Sequence, residues 1–362
     1  MKRVVILCVW LFSVVAGHAQ LSLDECRRLA RENYPEIRQY DLVHQTEQYN
    51  LSNAARAWIP QIAFSAQATW QTDAPNFPKE LTGMLAQQGL EIPGLRKDQY
   101  KVALELNQTI WDGGKSVADK RIARAEAAEQ KTMTDVDLYE LEGRVDDLYF
   151  GILLLDERIA QTNLTLNLLR SNLEKVRALQ RNGVAMQSDA DVLEAELLSV
   201  GQQLIQFESS CDSYRRMLGI FIGQKVGDRK LQRPSAVQPL SGESARPELA
   251  MFAAKIDRLT AQEKMVKSSS MPRLGFFAQG YYGYPGLDYM QSMMNSDWSW
   301  NAMLGVKLSW NFGAYYTQKN NLNKLRISRQ QVEVQRDVFL FNMNLQAAQE
   351  NGDIARLRKA IA

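Results

Sequence analysis

The chain is short of the residues that catalysis and metal binding most often use. It holds two histidines and three cysteines in 362 residues, and His18 and Cys8 fall within the first nineteen positions. That leaves His44, on a polar stretch with no histidine or cysteine at ligand spacing, which gives no metal site. No glycine-rich phosphate loop and no nucleophile motif is present, and Gly113-Gly114 and Asn182-Gly183 read as turn glycines. Nothing therefore points to an enzyme or to a cofactor. A charge excess is missing as well: beyond residue 19 the chain carries 41 basic and 41 acidic residues, which gives no support to nucleic-acid binding. Cys26 and Cys211 show neither the spacing of a disulfide framework nor a lipidation context, and are expected to be unrelated buried thiols.

Long apolar runs are also scarce. The single one, Val4 to Ala16, follows Lys2-Arg3 and precedes Gly17-His18-Ala19, the pattern of a secretory signal over residues 1–19 cleaved before Gln20. It is too short to span a bilayer, and no other stretch approaches the roughly 20 apolar residues a transmembrane helix needs. The chain is expected to leave the cytoplasm, and any membrane crossing falls to strands. With 45% hydrophobic and 23% charged residues it can bury a large core, and length alone suggests two domains.

What is present is a duplication. Pro35-Glu36 leads to Pro60 and then Ile62-Ala63-Phe64-Ser65-Ala66-Gln67-Ala68-Thr69-Trp70. The same passage recurs 212 positions later, where Pro247-Glu248 leads to Pro272 and then Leu274-Gly275-Phe276-Phe277-Ala278-Gln279-Gly280-Tyr281-Tyr282. Both proline-to-proline spans are 25 residues, so one helix-to-strand unit is used twice, giving repeats at 20–240 and 241–362.

Two textures alternate within the repeats. Apolar residues recur at 3,4 spacing from Leu138 through Leu141, Val145, Leu148, Ile152, Leu155 and Ile159, then Leu166, Leu169, Leu173 and Val176, broken only by Thr162. This is a coiled-coil seam. From Lys115 to Arg181 there is no proline and only Gly143 and Gly151, which predicts one helix roughly 100 Å long at about 1.5 Å per residue. A turn at Arg181-Asn182-Gly183-Val184-Ala185 separates it from a second seam: Leu193, Leu197, Val200, Leu204, Phe207, Cys211, Tyr214 and Leu218. The two form a long antiparallel hairpin over about 115–226, with Cys211 in the seam.

The other texture has period two and predicts four strands, at about 61–70, 100–111, 273–282 and 300–311. Each has one greasy and one small or polar face over roughly ten residues, the length of a tilted transmembrane strand. Aromatic residues gather toward the ends: Trp58, Trp70, Tyr100 and Trp111 in the first pair, Tyr281, Tyr282, Trp298, Trp300 and Trp310 in the second. They suit an interfacial belt, with a soluble sheet core as the competing reading. Four strands cannot close a spanning barrel, so a membrane reading requires an oligomer. Three chains supply twelve strands and a lumen, which favours a cyclic trimer over a dimer. Glu105 and Lys307, on polar strand faces, would then form rings of charge in the lumen that tune ion selectivity, or a mutually neutralising pair in the wall.

From Leu21 onward the chain resembles the outer-membrane efflux proteins typified by TolC. Leu21-Ser22-Leu23-Asp24-Glu25-Cys26 with Asn33-Tyr34-Pro35-Glu36-Ile37 resembles the family's N-terminal helix, and Trp58-Ile59-Pro60-Gln61-Ile62 its proline-marked approach to the first strand. Gln108-Thr109-Ile110-Trp111-Asp112-Gly113-Gly114 resembles its strand-to-helix exit, repeated at Leu308-Ser309-Trp310-Asn311-Phe312-Gly313. The resemblance implies a homotrimer with a twelve-stranded barrel in outer-membrane lipid and a periplasmic helical tunnel. It also implies a periplasmic adaptor and an inner-membrane pump as partners in exporting drugs, metals or proteins. By the same resemblance the hairpin turn is the adaptor-docking tip, made here by Gly183, Val184, Ala185, Ser188, Asp191, Val192 and Leu193, though these residues also suit a plain turn with Ser188 or Asp189 capping the next helix.

The sequence departs from the family at its second repeat. From Gly113 to Gly227 the first repeat spends 114 residues on its hairpin, while 49 run from Gly313 to Ala362, so about 65 are missing. The helix from about 315 keeps a seam at Val334, Val338, Phe341, Leu345 and Ala348 and reads as a real helix cut short, more in keeping with a fragment than a naturally short form. No gate residue of a second tip can be placed. Two other functions fit the same residues: a periplasmic coiled-coil adaptor or scaffold, and a non-conducting shortened channel.

Overall fold

The computed structural model of the chain describes residues 20–89, 92–234 and 246–361. The signal segment at 1–19 and the junction between the repeats at 240–241 lie outside the described residues. Contacts divide the chain into two compact units, Met1–Leu42 with Gln130–Met251, and Val43–Glu129 with Phe252–Ala362.

The fold is mainly helical, with long helices and one four-stranded antiparallel sheet. The elements in order are α1 (Leu23–Asn33), a 3-10 turn (Pro35–Arg38), α2 (Gln39–Arg56), β1 (Gln61–Trp70), α3 (Lys79–Gln87), β2 (Asp98–Trp111), α4 (Lys115–Arg181) and α5 (Gln187–Ile222). They continue with α6 (Pro247–Ser269), β3 (Arg273–Tyr284), α7 (Tyr289–Met294), β4 (Ser299–Ser309) and α8 (Ala314–Ile361). At 67 residues α4 is roughly 100 Å long, and no helix among the described residues is long and apolar enough to cross a membrane.

The first unit has its core where α1 meets α4 and α5. Cys26 and Ala30 of α1 pack with Leu138, Leu141, Val145, Tyr149 and Ile152 of α4 and with Cys211, Leu218 and Ile222 of α5. Ser22 caps α1 by accepting the amide of Glu25, and Arg27 pairs in a two-pronged fork with Asp146, Nε to Oδ1 at 2.7 Å and Nη2 to Oδ2 at 2.5 Å. The buried Tyr149 hydroxyl lies 2.7 Å from the Leu21 carbonyl and 2.6 Å from that of Gln232, tying the two segments that meet in the Leu21–Leu231 bridge. Burial pushes the Cys26 thiol up to about 12, with Glu25 adding to the shift, so it stays protonated at neutral pH.

In the second unit the sheet runs β1-β2-β3-β4, every neighbour antiparallel. Period two sorts its residues into two faces. One carries the rows Ile62–Leu106–Ala278–Leu304 and Ala66–Val102–Tyr282–Trp300; the other carries Ala63–Glu105–Gln279–Met303 and Ser65–Ala103–Tyr281–Asn301. Trp111 shows how the register can be re-aimed. Simple alternation would place it with Thr109 on the polar face, but a bulge between them brings Trp111 opposite Leu274 on the apolar face. Tyr281 goes the other way, buried on the polar face rather than standing in an outer belt.

Both ends of the sheet are anchored. At the helix end the Trp310 indole donates to the Ser270 carbonyl at 3.0 Å, and Gln318 donates to the Ser270 hydroxyl at 2.8 Å. At the connector end Tyr284 packs with Ala74 and Leu95; its hydroxyl accepts the Arg96 amide at 2.9 Å and donates to the Ser292 carbonyl at 3.1 Å.

Candidate functional site

The apolar face of the sheet is bare. Phe64, Leu304 and Trp300 are 72%, 76% and 82% exposed, and Ile62, Leu104, Val306 and Leu308 are exposed beside them. A soluble sheet buries such a row, at about 25 cal/mol per Å² of apolar surface, so this face is built for another medium. Aromatic residues mark its two borders. Toward the connectors, Tyr282 lies 5.0 Å from Trp300 and 5.3 Å from Trp298, which stacks on Tyr100 at 5.7 Å, and Trp70 is exposed near by. Toward the helices stand Trp58, Trp111 and Trp310, the last 4.7 Å from Phe312. Trp300 and Trp310 are ten residues apart, about 33 Å along a strand and about 25 Å in height at a tilt near 40°, the height of the apolar band on an outer-membrane barrel.

The opposite face is polar and lined by a cavity of about 630 Å³ that includes Glu105, Asn107, Gln279, Met303 and Lys307. Glu105 accepts a hydrogen bond from Gln279 Nε2 at 2.5 Å. Gln279 Oε1 in turn accepts from Lys101 Nζ at 3.0 Å, and that ammonium sits 4.6 Å from the centre of the Tyr281 ring. The partner of Glu105 is thus Gln279. Lys307 lies in a different row, opposite Gly275, and the sheet shares out the two charges instead of pairing them.

Lys101 and Arg273 stand on this same polar face and were open to the parity argument that picked out Glu105 and Lys307. The Gln279 bridge was not, because it depends on a register between strands 174 residues apart in sequence. Just beyond β2, Asp112 sets the start of α4, accepting from the Gly114 amide at 2.9 Å and the Ser116 amide at 2.7 Å, and from the Ser116 hydroxyl. Burial alone would raise its carboxyl, but these bonds outweigh burial and hold it below the usual carboxylate range.

The hairpin turn also exposes apolar side chains. Gly183 has φ +74°, its amide donates to Gln180 and that of Val184 donates back to Leu179, closing α4 in a Schellman motif. Val184 is 73% exposed, and Met186 and Val192 project with it. Ser188 and Asp191 are exposed, while Ala185 and Leu193 are half-buried. The cap of α5 falls to Asp189, whose carboxylate accepts the Met186 amide at 3.0 Å; Ser188 sits within the first turn and does not serve as the N-cap. Arg177 and Glu194 bridge the two arms at 2.9 Å. Among the described residues no group of histidine, cysteine, aspartate and glutamate is arranged to hold a metal.

Comparison with known proteins agrees with this geometry. The profile of the family described as Outer membrane efflux protein matches residues 27–223, more than half of the chain. No curated protein matches significantly by sequence. Among solved structures, the outer membrane protein VceC of Vibrio cholerae is similar with a TM-score of 0.64 at 14% identity, over 88% of this chain and 75% of that one. The CmeC outer membrane channel of Campylobacter jejuni gives 0.61 at 14% identity, over 88% and 68%, and the MtrE outer membrane channel of Neisseria gonorrhoeae gives 0.55 at 14%, over 86% and 68%.

Proposed function

The chain belongs to the outer membrane efflux protein family, non-enzymatic transport channels of the outer membrane, and from that premise we propose that it is one subunit of a homotrimeric efflux conduit. The observation that carries this reading is the four-stranded sheet with one bare apolar face and two unpaired edges, β1 and β4. Open edges in lipid leave backbone groups unsatisfied, so a spanning sheet must close. Joining β4 of one chain to β1 of the next satisfies both edges through one repeated contact, and three copies give twelve strands around a lumen. Trp70, Trp111, Tyr282, Trp300 and Trp310 then form the interfacial belts, the apolar rows meet lipid, and the polar face with Glu105 and Lys307 lines the conduit.

In this reading the helices continue the conduit into the periplasm, where the hairpin turn docks an adaptor that links the channel to an inner-membrane pump. The projecting Val184, Met186 and Val192 support docking, since a turn with no partner has no reason to present them to water. Gly183, Ala185, Ser188, Asp191 and Leu193 shape the same surface.

A cysteine on β4 at Asn301, combined in turn with cysteines along β1 at Gln61, Ala63, Ser65, Gln67 and Thr69, tests the closure, because tilted strands offset the rows of neighbouring chains by several residues. Oxidation in membranes should give disulfide-linked trimers resistant to carbonate extraction. A carbonate-soluble monomer would sink the channel and favour a periplasmic scaffold. Replacing Val184 by Glu should abolish crosslinking to the adaptor while leaving the trimer intact; undiminished crosslinking would remove the docking role.

A further inference from the structure

The polar face of the sheet is electrically lopsided. Its strand positions carry four charged side chains, Lys101, Glu105, Arg273 and Lys307, three basic and one acidic. Arg273 and Lys307 are exposed, whereas Glu105 is half-buried and engaged by the Gln279 amide. Of the nearby charges, Lys115 pairs with Asp119 at 2.8 Å and Arg96 pairs with Asp98, while Asp112 keeps its negative charge, buried at the start of α4 and held by amides and the Ser116 hydroxyl. In a trimer the strand positions would present nine basic groups against three acidic ones, and against six with the buried Asp112 counted.

We propose that the inside of the barrel is an anion-favouring filter made by Lys101, Arg273 and Lys307, with Glu105 restrained by Gln279, so that anionic and zwitterionic small solutes pass it in preference to cations. This rests on the channel reading. Twelve strands about 4.8 Å apart and tilted near 40° give a backbone radius of about 12 Å, which inward side chains narrow further. The screening length at physiological salt is about 8 Å, so the potential of three cationic rings reaches across much of the lumen. The rings are also spread along the strands, with Lys101 toward the connectors and Lys307 and Arg273 toward the helices. A solute therefore meets the same sign on entering and on leaving.

The test is the reversal potential of purified trimers in a planar bilayer under a potassium chloride gradient. Replacing Lys101, Arg273 and Lys307 together by Gln should lower the chloride-to-potassium permeability ratio several-fold, and Glu105→Gln should raise it by less. Lys307→Cys controls for misfolding, because one assembled sample is measured before and after modification: a cationic methanethiosulfonate should restore the wild-type ratio and an anionic one depress it. Cys26 and Cys211 are buried and do not compete for the reagent. Conducting trimers whose ratio is indifferent to all of these changes would overturn the filter and leave the channel standing. Assembled wild-type trimers that carry no current would overturn the channel, and the filter with it.

Discussion

The hairpin and the sheet treat the same kind of residue in opposite ways. In the hairpin Leu138, Val145, Ile152 and Leu218 are enclosed by the chain's own helices. In the sheet Ile62, Phe64, Leu304 and Leu308 have no covering layer among the described residues. Both regions follow strict hydrophobic periodicity, so the pattern alone does not say what covers an apolar face. The difference teaches that the cluster around Val145 is closed by the chain's own helices, whereas the chain leaves the apolar face of its sheet exposed, a face that in the proposed channel meets lipid while further copies meet its edges. Helix α8 belongs with the sheet in this respect: Val334, Val338, Phe341 and Leu345 form a seam like that of α4, yet all four are exposed.

That contrast can be broken most forcefully at Val145. It is fully buried, so Val145→Asp places a carboxylate in the first unit's core and should cost at least about 4 kcal/mol, seen as an early loss of helical signal on heating. The same chemistry on the sheet should behave differently. Leu304→Arg should leave the helical signal unchanged in detergent, but at mid-bilayer it should cost about 2–4 kcal/mol and reduce the fraction assembled in membranes. Equal damage in detergent and membranes would mean that this face packs against protein.

Asp112 sharpens the comparison at the joint between strand and helix. Its carboxyl is held below the ordinary range, so its contribution is present above that range and is lost as pH falls through the folded-state value. Asp112→Asn should cost about 1 kcal/mol at neutral pH and flatten the acid limb of the stability curve. An unchanged acid limb would exclude Asp112 as its source. The smallest effect is expected at the exposed Arg177–Glu194 bridge, where Arg177→Ala should shift stability by less than about 0.5 kcal/mol. A larger loss would show that the hairpin arms depend on that bridge as well as on their apolar seam.

Much of the fold class was legible in the sequence because both periods are long and clean. The seam from Leu138 to Val176 declares a long helix, and the alternation from Ile62 to Trp70 declares a two-faced strand. Within the polar face, parity was enough to find Glu105 and Lys307, and equally enough for Lys101 and Arg273. The placement of Trp111 and Tyr281 was harder to read. Trp111 reaches the apolar face only through a bulge, and Tyr281 obeys parity while looking in isolation like its belt neighbour Tyr282.

The sequence by itself determined which faces are apolar, where the long helix turns and that the helix-to-strand unit is used twice, because these follow from local periodicity and from glycine at a left-handed position. The tertiary structure decided which residues meet across the sheet. Gln279 joins Glu105 to Lys101, Asp189 rather than Ser188 supplies the side-chain oxygen that caps the start of α5, and the Glu105 and Lys307 charges fall in separate rows. These depend on register between strands far apart in the chain and on the conformation of one turn, and a two-residue slip of a strand would exchange the partners while leaving every side chain on its own face.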